Sequence, residues 1–444
     1  MSRTFFRRLL CALCLLGLPA DALERDHIGW KQPICESYSN CLNRGGFTKW
    51  VDSTHFDPAL AEPVSVADSA QLVQALAQAR PGTVITLKPG TYPLHRLELR
   101  AGGEKGKPIT VRAERLGDAH LVTDEVELFV LRGPYWVFEN LDLRGKGDAA
   151  DHAFHIEGGA DRTILRHDRM RDFNAAVKGN IGDGKFADDV VIEDSLFYNA
   201  APRQTDSPVT PIDIDGGRRW DVRGNLIADF AKAGGNQISY GAFMKAGSSD
   251  GIFERNLVIC EWRHKGFTRI GLSFGGGGGE TPEICQDRQC SPKHRDGIIR
   301  NNIILHCPAD LGIYLNEARH IGIFNNTLLD TGGIDVRFPA SSAEIRNNIV
   351  SGRIRERNGG TLVQESNMLA PAGDMLQSLF ADADAGDFRP RTGAPAVERG
   401  PALAAVPDDF CGRKRSGSEA DLGAVAYDGP ACDRMRELMR EAVK

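Results

Sequence analysis

Short apolar-alternating segments, each built around an asparagine, recur along the middle of the chain: VFENLDL at Asn140, DVRGNLI at Asn225, IFERNLV at Asn256, IIRNNII at Asn302, IFNNTLL at Asn326 and EIRNNIV at Asn348. TILRHDRM at Asp168 and VVIEDSLF at Asp194 read as weaker copies with aspartate in the asparagine's place. The last three strong copies lie 24 and 22 residues apart, the length of one coil of a parallel β-solenoid. The longer intervals, 26 to 46 residues, imply loops inserted between the strands of a coil. One coil cannot bury its own apolar face, so only the stack forms a core. Coils stack at the strand spacing of roughly 4.8 Å, and an asparagine repeated at one turn bonds the copies above and below it. The predicted fold is all-β, a right-handed parallel β-helix, the hand following from the strong preference of crossovers between parallel strands.

The ends of the pattern complete the architecture. SAQLVQALAQAR, Ser69 to Arg80, changes to helical periodicity with Leu72, Ala75, Leu76 and Ala79 on one side. A helix there caps the open edge of the first coil, which begins at GTVITLKPGTYPL. Beyond about residue 370 the repeat stops, GDFRPRTGAPAVERGPA reads as irregular covering chain, and DRMRELMREAVK as a short charged helix. The expected organisation is residues 1–22 as a signal peptide, 23–64 as an extension, 65–370 as the β-helix and 371–444 as a covering segment.

The repeat also aligns the coils. Ten or eleven residues before each asparagine stand Glu157, Asp215, Lys245, Asn316 and Arg337; two residues earlier stand His155, Asp213, Phe243, Tyr314 and Asp335. Between them sit Ile, Val, Phe, Met or Leu, so alternation sends the apolar members inward and the polar ones outward. RIGLSFGG fits the same phase with Arg269, Gly271 and Ser273 outward, and Lys178 in AAVKGN joins the stripe. Lys245 is therefore expected on an outer face with Asp215 and Ser273 on the adjacent coils. The plain alternative is a solvated face, where an Asp215–Lys245 pair contributes under ~1 kcal/mol. Against it, the stripe mixes His, Asp, Lys, Tyr and Arg. It is flanked by insertions after Lys178, at Ala200–Thr210 and at Gly275–Arg295. The run GLSFGGGGGE lacks the Lys-Ser/Thr of a nucleotide loop and reads as a turn leaving a crowded face.

Composition narrows the setting. A net charge of −6 on 444 residues, without a strong basic run, leaves no electrostatic footprint for nucleic acid. Arg3, Arg7 and Arg8 precede an apolar segment, Leu9 to Pro19, too short to span a bilayer, and Ala20-Asp21-Ala22 supplies a cleavage site. Export to the periplasm or the exterior is thus expected, with no membrane span and a monomeric chain. Removing the leader leaves eight cysteines, an even number in an oxidising compartment. The preferred pairs are Cys35–Cys41, Cys260–Cys307, Cys285–Cys290 and Cys411–Cys432. The rival reading is zinc held by Cys285, Cys290 and His294, at a spacing that fits no familiar site.

GTVITLKPGTYPL, GEKGKPITVRAE and the asparagine repeat together resemble exported right-handed parallel β-helix proteins, nearest to the chondroitinase-B-like and alginate-lyase-like polysaccharide lyases. The resemblance implies an acidic, uronate-containing polysaccharide as substrate, cleaved by β-elimination. In those lyases a lysine removes the proton beside the uronate carboxylate, an arginine assists the leaving oxygen, and calcium often neutralises the carboxylate. MKAGSSDGIFERN is similar around the base and puts Lys245 in its position. One coil later, Ser273 stands where the family has the arginine, and Ile238 and Tyr240 replace the acids that hold calcium. No cofactor is expected from these residues, and calcium only by the resemblance. Arg269 is the substitute for the missing arginine, and Tyr240 or Tyr314 for a proton carrier; His155, Lys178, Asp213, Asp215, Ser273, Asn316 and Arg337 are expected to bind substrate. A physical difficulty attends Lys245, because Asp215 beside it favours the ammonium whereas a base must be neutral; Lys245 as a carboxylate clamp is the other role. The competing functions are a glycoside hydrolase using Asp213 and Asp215, a C5-epimerase sharing the proton abstraction, and a non-catalytic polysaccharide-binding protein.

Overall fold

The structure, a computed structural model, describes residues 62–369, 378–383, 386–415, 417–428 and 433–443. The expected leader, Cys35, Cys41 and Cys432 lie outside these residues. From Glu62 to Leu369 the chain winds through three long sheets of 12, 11 and 10 strands. Within each, a strand pairs in parallel with its counterparts on the coils before and after, as Asp221–Arg223 does with Val191–Glu193 and Ile252–Glu254. This is a parallel β-helix. Its interior is a continuous apolar column in which Phe129, Phe138 and Phe154 sit with ring centroids 4.8–5.4 Å apart. The helix Ser69–Ala77 starts at Asp68, whose carboxylate accepts from Gln71 N at 2.8 Å, and it lays Leu72, Ala75 and Leu76 against the first coils.

The asparagines form one column. Asn225 N and Nδ2 donate to Asn256 Oδ1, Asn256 to Asn302, Asn302 to Asn326 and Asn326 to Asn348, all at 2.8–3.1 Å. Asn348 continues the column to Asn367, a member the repeat search missed. At the other end the column passes through Asp168, as the repeat predicts, while Ser195 and Leu141 take the places expected for Asp194 and Asn140. Ser195 N donates to Asn225 Oδ1, and Leu141 N to Asp168 Oδ1. The slip of one residue has a backbone cause. The position just before the column is left-handed on coil after coil, with φ of 61° at Asn140, 51° at Asp194, 54° at Asn301, 51° at Asn325 and 59° at Asn347. Asn and Asp tolerate that conformation, so both positions attract the same residues.

In the Asn-Asn pairs each member has its own task. The second builds the column, while the first reaches outward to the C-terminal segment: Asn301 Nδ2 donates to Asp408 O at 2.8 Å, Asn325 to Asp421 O and Asn347 to Pro401 O, both at 2.9 Å. Phe380, Phe388, Phe410 and Leu438 of that segment pack on Leu226, Leu257, Ile303 and Ile349 and cover the outer face of the 11-stranded sheet. The helix Arg434–Val443 completes the cover. With that face occupied, the outer side of the 10-stranded sheet carries the polar stripe.

Cys260 and Cys307 are bonded across neighbouring coils with Cα atoms 5.0 Å apart, and Cys285 is bonded to Cys290. Cys411 is disulfide-bonded as well. The zinc alternative is overturned. Two of its three ligands form a disulfide, and His294 Nδ1 is within 2.7 Å of the Ser248 hydroxyl.

Candidate active site

The 10-stranded sheet brings one outward position of every coil into register. His155 pairs with Lys178, Lys178 with Asp213, Asp213 with Phe243, Phe243 with Ser273, Ser273 with Tyr314 and Tyr314 with Asp335. Two residues further along the strands, Asp215 lies opposite Lys245 and Asn316 opposite Arg337. Lys245 and Asp215 are thus neighbours as the alignment predicts. Ser273 is not the other neighbour of Lys245. Met244 pairs with Phe274, so the place opposite Lys245 falls to Gly275, and Ser273 belongs to the column of Phe243.

Arg269 does not reach the stripe. In Ile238–Lys245 and Thr268–Phe274 the in-out alternation is interrupted at Gly241 and Gly271. A Cβ on Gly241 would meet Phe230 and Val258, and one on Gly271 would meet Ile304, all core residues, although the next residues, Ala242 and Leu272, also face the core. Two successive inward positions invert the phase upstream, so Arg269 is buried to 1% exposure and its guanidinium donates to the Cys260 carbonyl. The same inversion turns Tyr240 onto the outer side, where it packs with Ile270, Leu311 and Tyr314. Burial pushes the Tyr240 phenol up to about 12, with a backbone hydrogen bond from Gly277 acting the other way. It is a proton donor, not a base, near neutral pH.

The face is covered where exposure is expected. Lys245 is 7% exposed and Ser273 0%. The glycine run folds back over them: Lys245 Nζ donates to Gly278 O at 3.1 Å, and Asn316 Nδ2 and Lys293 Nζ to Gly277 O at 3.4 and 3.5 Å. This packing demands glycine. A Cβ on Gly275 would lie 1.9 Å from Asn316 O, and one on Gly276 would lie 2.7 Å from Ser273 Oγ. Glu280, at the end of the run, places Oε1 at 3.4 Å from Lys245 Nζ and Oε2 at 3.4 Å from Lys293 Nζ. Asp215 Oδ1 is on the other side of Lys245 at 3.5 Å, and the ammonium stands 5.1 Å from the Phe243 ring centre. Neither Glu280 nor Lys293 carries a repeat signal, because both lie in the inserted segment; the flanking glycine run was the one sign of them in the sequence.

Lys178 lies two coils before Lys245, with the strand of Asp213 and Asp215 between them. Its Nζ bonds Asp213 Oδ1 at 2.7 Å and Asp215 Oδ2 at 2.6 Å. Burial opposes the ammonium, but the two carboxylates outweigh it and hold Lys178 above the ordinary lysine range. Further along, His155 Nδ1 meets Glu127 Oε1 at 2.6 Å, and burial holds the imidazole below its usual pKa. At the opposite end Arg337 donates to the Tyr314 hydroxyl at 3.2 Å, and Arg355 and Arg357 grip Asp335. The stripe runs from acidic early coils to basic late ones.

The donor set beside Lys245 does not suit calcium. Asp213, Asp215 and Glu280 each lie against a lysine ammonium, and Ile238 and Tyr240 stand in the acidic positions of the resemblance. Among the described residues one trio, His95, Asp124 and Glu125, gathers ligand atoms within 4.8 Å, but it lies in turns at the other end of the sheet and is mostly exposed.

Residues 66–160 match the Chondroitinase B family profile. The chain is 26% identical over 146 residues to pectate lyase L of Dickeya chrysanthemi, a match covering 25% of this chain and 34% of that protein. The pectate lyase L of Dickeya dadantii (strain 3937) is 25% identical over the same shares. The match therefore spans about a third of the length of these relatives. Among solved structures, pectate lyase Pel9A superposes with a TM-score of 0.59 at 15% identity, covering 83% of this chain and 97% of its own; a rhamnogalacturonan lyase gives 0.50 at 14%, covering 77% and 95%. These likenesses establish the β-helix. The profile match ends before Lys178, so the cluster from Lys178 to Lys293 lies outside it.

Proposed function

We propose that this protein is an exported polysaccharide lyase that cleaves an acidic, uronate-containing polysaccharide by β-elimination. The observation that carries the reading is Lys245: an outward lysine in the middle of the stripe, with a second cation, Lys293, converging on one carboxylate beside it. Elimination removes the proton next to the uronate carboxyl and expels the oxygen of the glycosidic bond, leaving a C=C bond. Negative charge grows on the carboxylate as the proton leaves, and fixed cations stabilise it most when water is excluded. In this proposal Lys245 reacts as the neutral amine and takes the proton, Lys293 stays charged and holds the carboxylate, and the Tyr240 phenol, held protonated, supplies a proton to the leaving oxygen. The relatives' names, pectate lyase L above all, agree in reaction class.

The hydrolase reading loses its carboxylate pair, since Asp213 and Asp215 share the Lys178 ammonium and neither stands free as an acid or nucleophile. The deciding assay is ultraviolet absorbance of unsaturated uronates during incubation with polygalacturonate, alginate and dermatan sulfate. An absorbance rise with one of them is expected. New reducing ends without that rise would replace elimination by hydrolysis, and binding without either would leave a carbohydrate-binding protein.

A further inference from the structure

Glu280 is a buried carboxylate with an ill-made site. Its side chain is 6% exposed, its two oxygens each stand 3.4 Å from a lysine nitrogen, and Oε1 has no hydrogen-bond partner. Removing a carboxylate from water costs several kcal/mol, which only close, well-formed contacts offset. Lys245 and Lys293 in turn face a carboxylate that they hold at a distance. The segment bearing Glu280 is a strap. Gly275 N is tied to Met244 O at 2.8 Å, and beyond Glu280, Gln286 N is tied to Ala246 O at 2.9 Å next to the Cys285–Cys290 disulfide. Between these anchors, Gly278 and Gly279 have empty space where a side chain would be. The ends are tied by backbone bonds, whereas the bonds to the middle come from the side chains of Lys245, Lys293 and Asn316.

We infer that Glu280 is an internal occupant of the site, holding between Lys245 and Lys293 the position of a sugar carboxylate, and that the strap from Gly275 to Glu280 must lift for a uronate to bind. This rests on the acidic-polysaccharide reading above and adds to it a closed, self-occupied state. A closed population lowers apparent affinity by the fraction of molecules that are open. Weakening the internal contact therefore tightens the binding of an external carboxylate, whereas weakening a residue of the site loosens it.

The test uses the full chain and its Glu280→Gln and Lys293→Met variants. Backbone hydrogen exchange is measured first, without ligand, and trigalacturonate binding by calorimetry second. Both variants should exchange faster across residues 275–280, with the β-helix strands unchanged. Glu280→Gln should bind trigalacturonate about tenfold more tightly, and Lys293→Met more weakly than the parent. Equal exchange in parent and Glu280→Gln overturns the strap, whatever binds. Weaker binding by Glu280→Gln makes Glu280 a supporting member of the site and overturns its role as occupant. Faster exchange with no binding to parent or variant overturns the uronate reading itself, and with it the ligand assigned to the two lysines.

Discussion

The asparagine column and the charged stripe are both stacks of polar side chains repeated from coil to coil, and both are shut away from water. From Asn225 to Asn348 the members of the column are neutral, each fully buried, and each amide donates to the next coil and accepts from the previous one. In the stripe the members are charged, the partners change from coil to coil, and Asp215 Oδ1, Glu280 Oε1, Asn316 Oδ1 and His155 Nε2 have no hydrogen-bond partner. A satisfied neutral stack contributes stability and register. An incompletely satisfied charged stack costs desolvation and leaves bonding capacity for something else. The difference separates a structural repeat from a candidate site without any appeal to residue type, since both contain Asn and Asp.

Four measurements press on this contrast, from the largest effect down. Lys245→Ala should lower lyase activity about 10³-fold or more, within the range of a positioned acid–base group. Lys245→Arg should fail as fully, because guanidinium keeps the charge but does not act as a base near neutral pH. Retained activity in Lys245→Arg would make Lys245 a clamp and move the base elsewhere. Both variants should also lose stability in denaturant titration. An expectation of no folding cost holds only for an exposed lysine, whereas this one, once removed, leaves Asp215 with Lys178 alone and Glu280 with Lys293 alone.

Asn302→Ala tests the other column. It deletes bonds to Asn256, Asn326 and the Phe253 carbonyl and should cost about 3 kcal/mol of unfolding free energy. Specific activity of the folded fraction should not change. A loss of activity at full stability would erase the distinction between the stacks.

The smallest effect is expected at Asp168, where the column contains a carboxyl. Burial raises its pKa to about 8, the Leu141 N–H acting against it. The folded state therefore keeps a proton that the unfolded chain, with an ordinary aspartate pKa, releases. This contribution to stability is complete below about pH 4 and is lost as pH rises towards 8. Asp168→Asn should remove that slope and stabilise the protein at pH 8, by analogy with the coils that already carry asparagine. Parallel stability–pH curves for parent and variant would show that Asp168 does not titrate in this window.

Much was legible in the sequence because it is local or periodic. The coil length, the inward apolar phase, the column from Asn225 to Asn348, the Cys260–Cys307 bridge and the facing of Asp215 and Lys245 all follow from spacing along the chain. At its early end Asp168 was legible but Ser195 and Leu141 were not, since the left-handed position one step before each attracts Asp or Asn. Arg269 turned inward against expectation because strict alternation fails where Gly241 and Gly271 put two successive positions inward, and only packing against Phe230, Val258 and Ile304 shows that. Lys293 and Glu280 have no periodic signal at all. The sequence by itself determined a β-helix with a polar stripe and a lysine in it. Only the tertiary structure decided that the stripe is closed and that a glutamate from an inserted loop fills it, because a loop's path depends on contacts made across the fold.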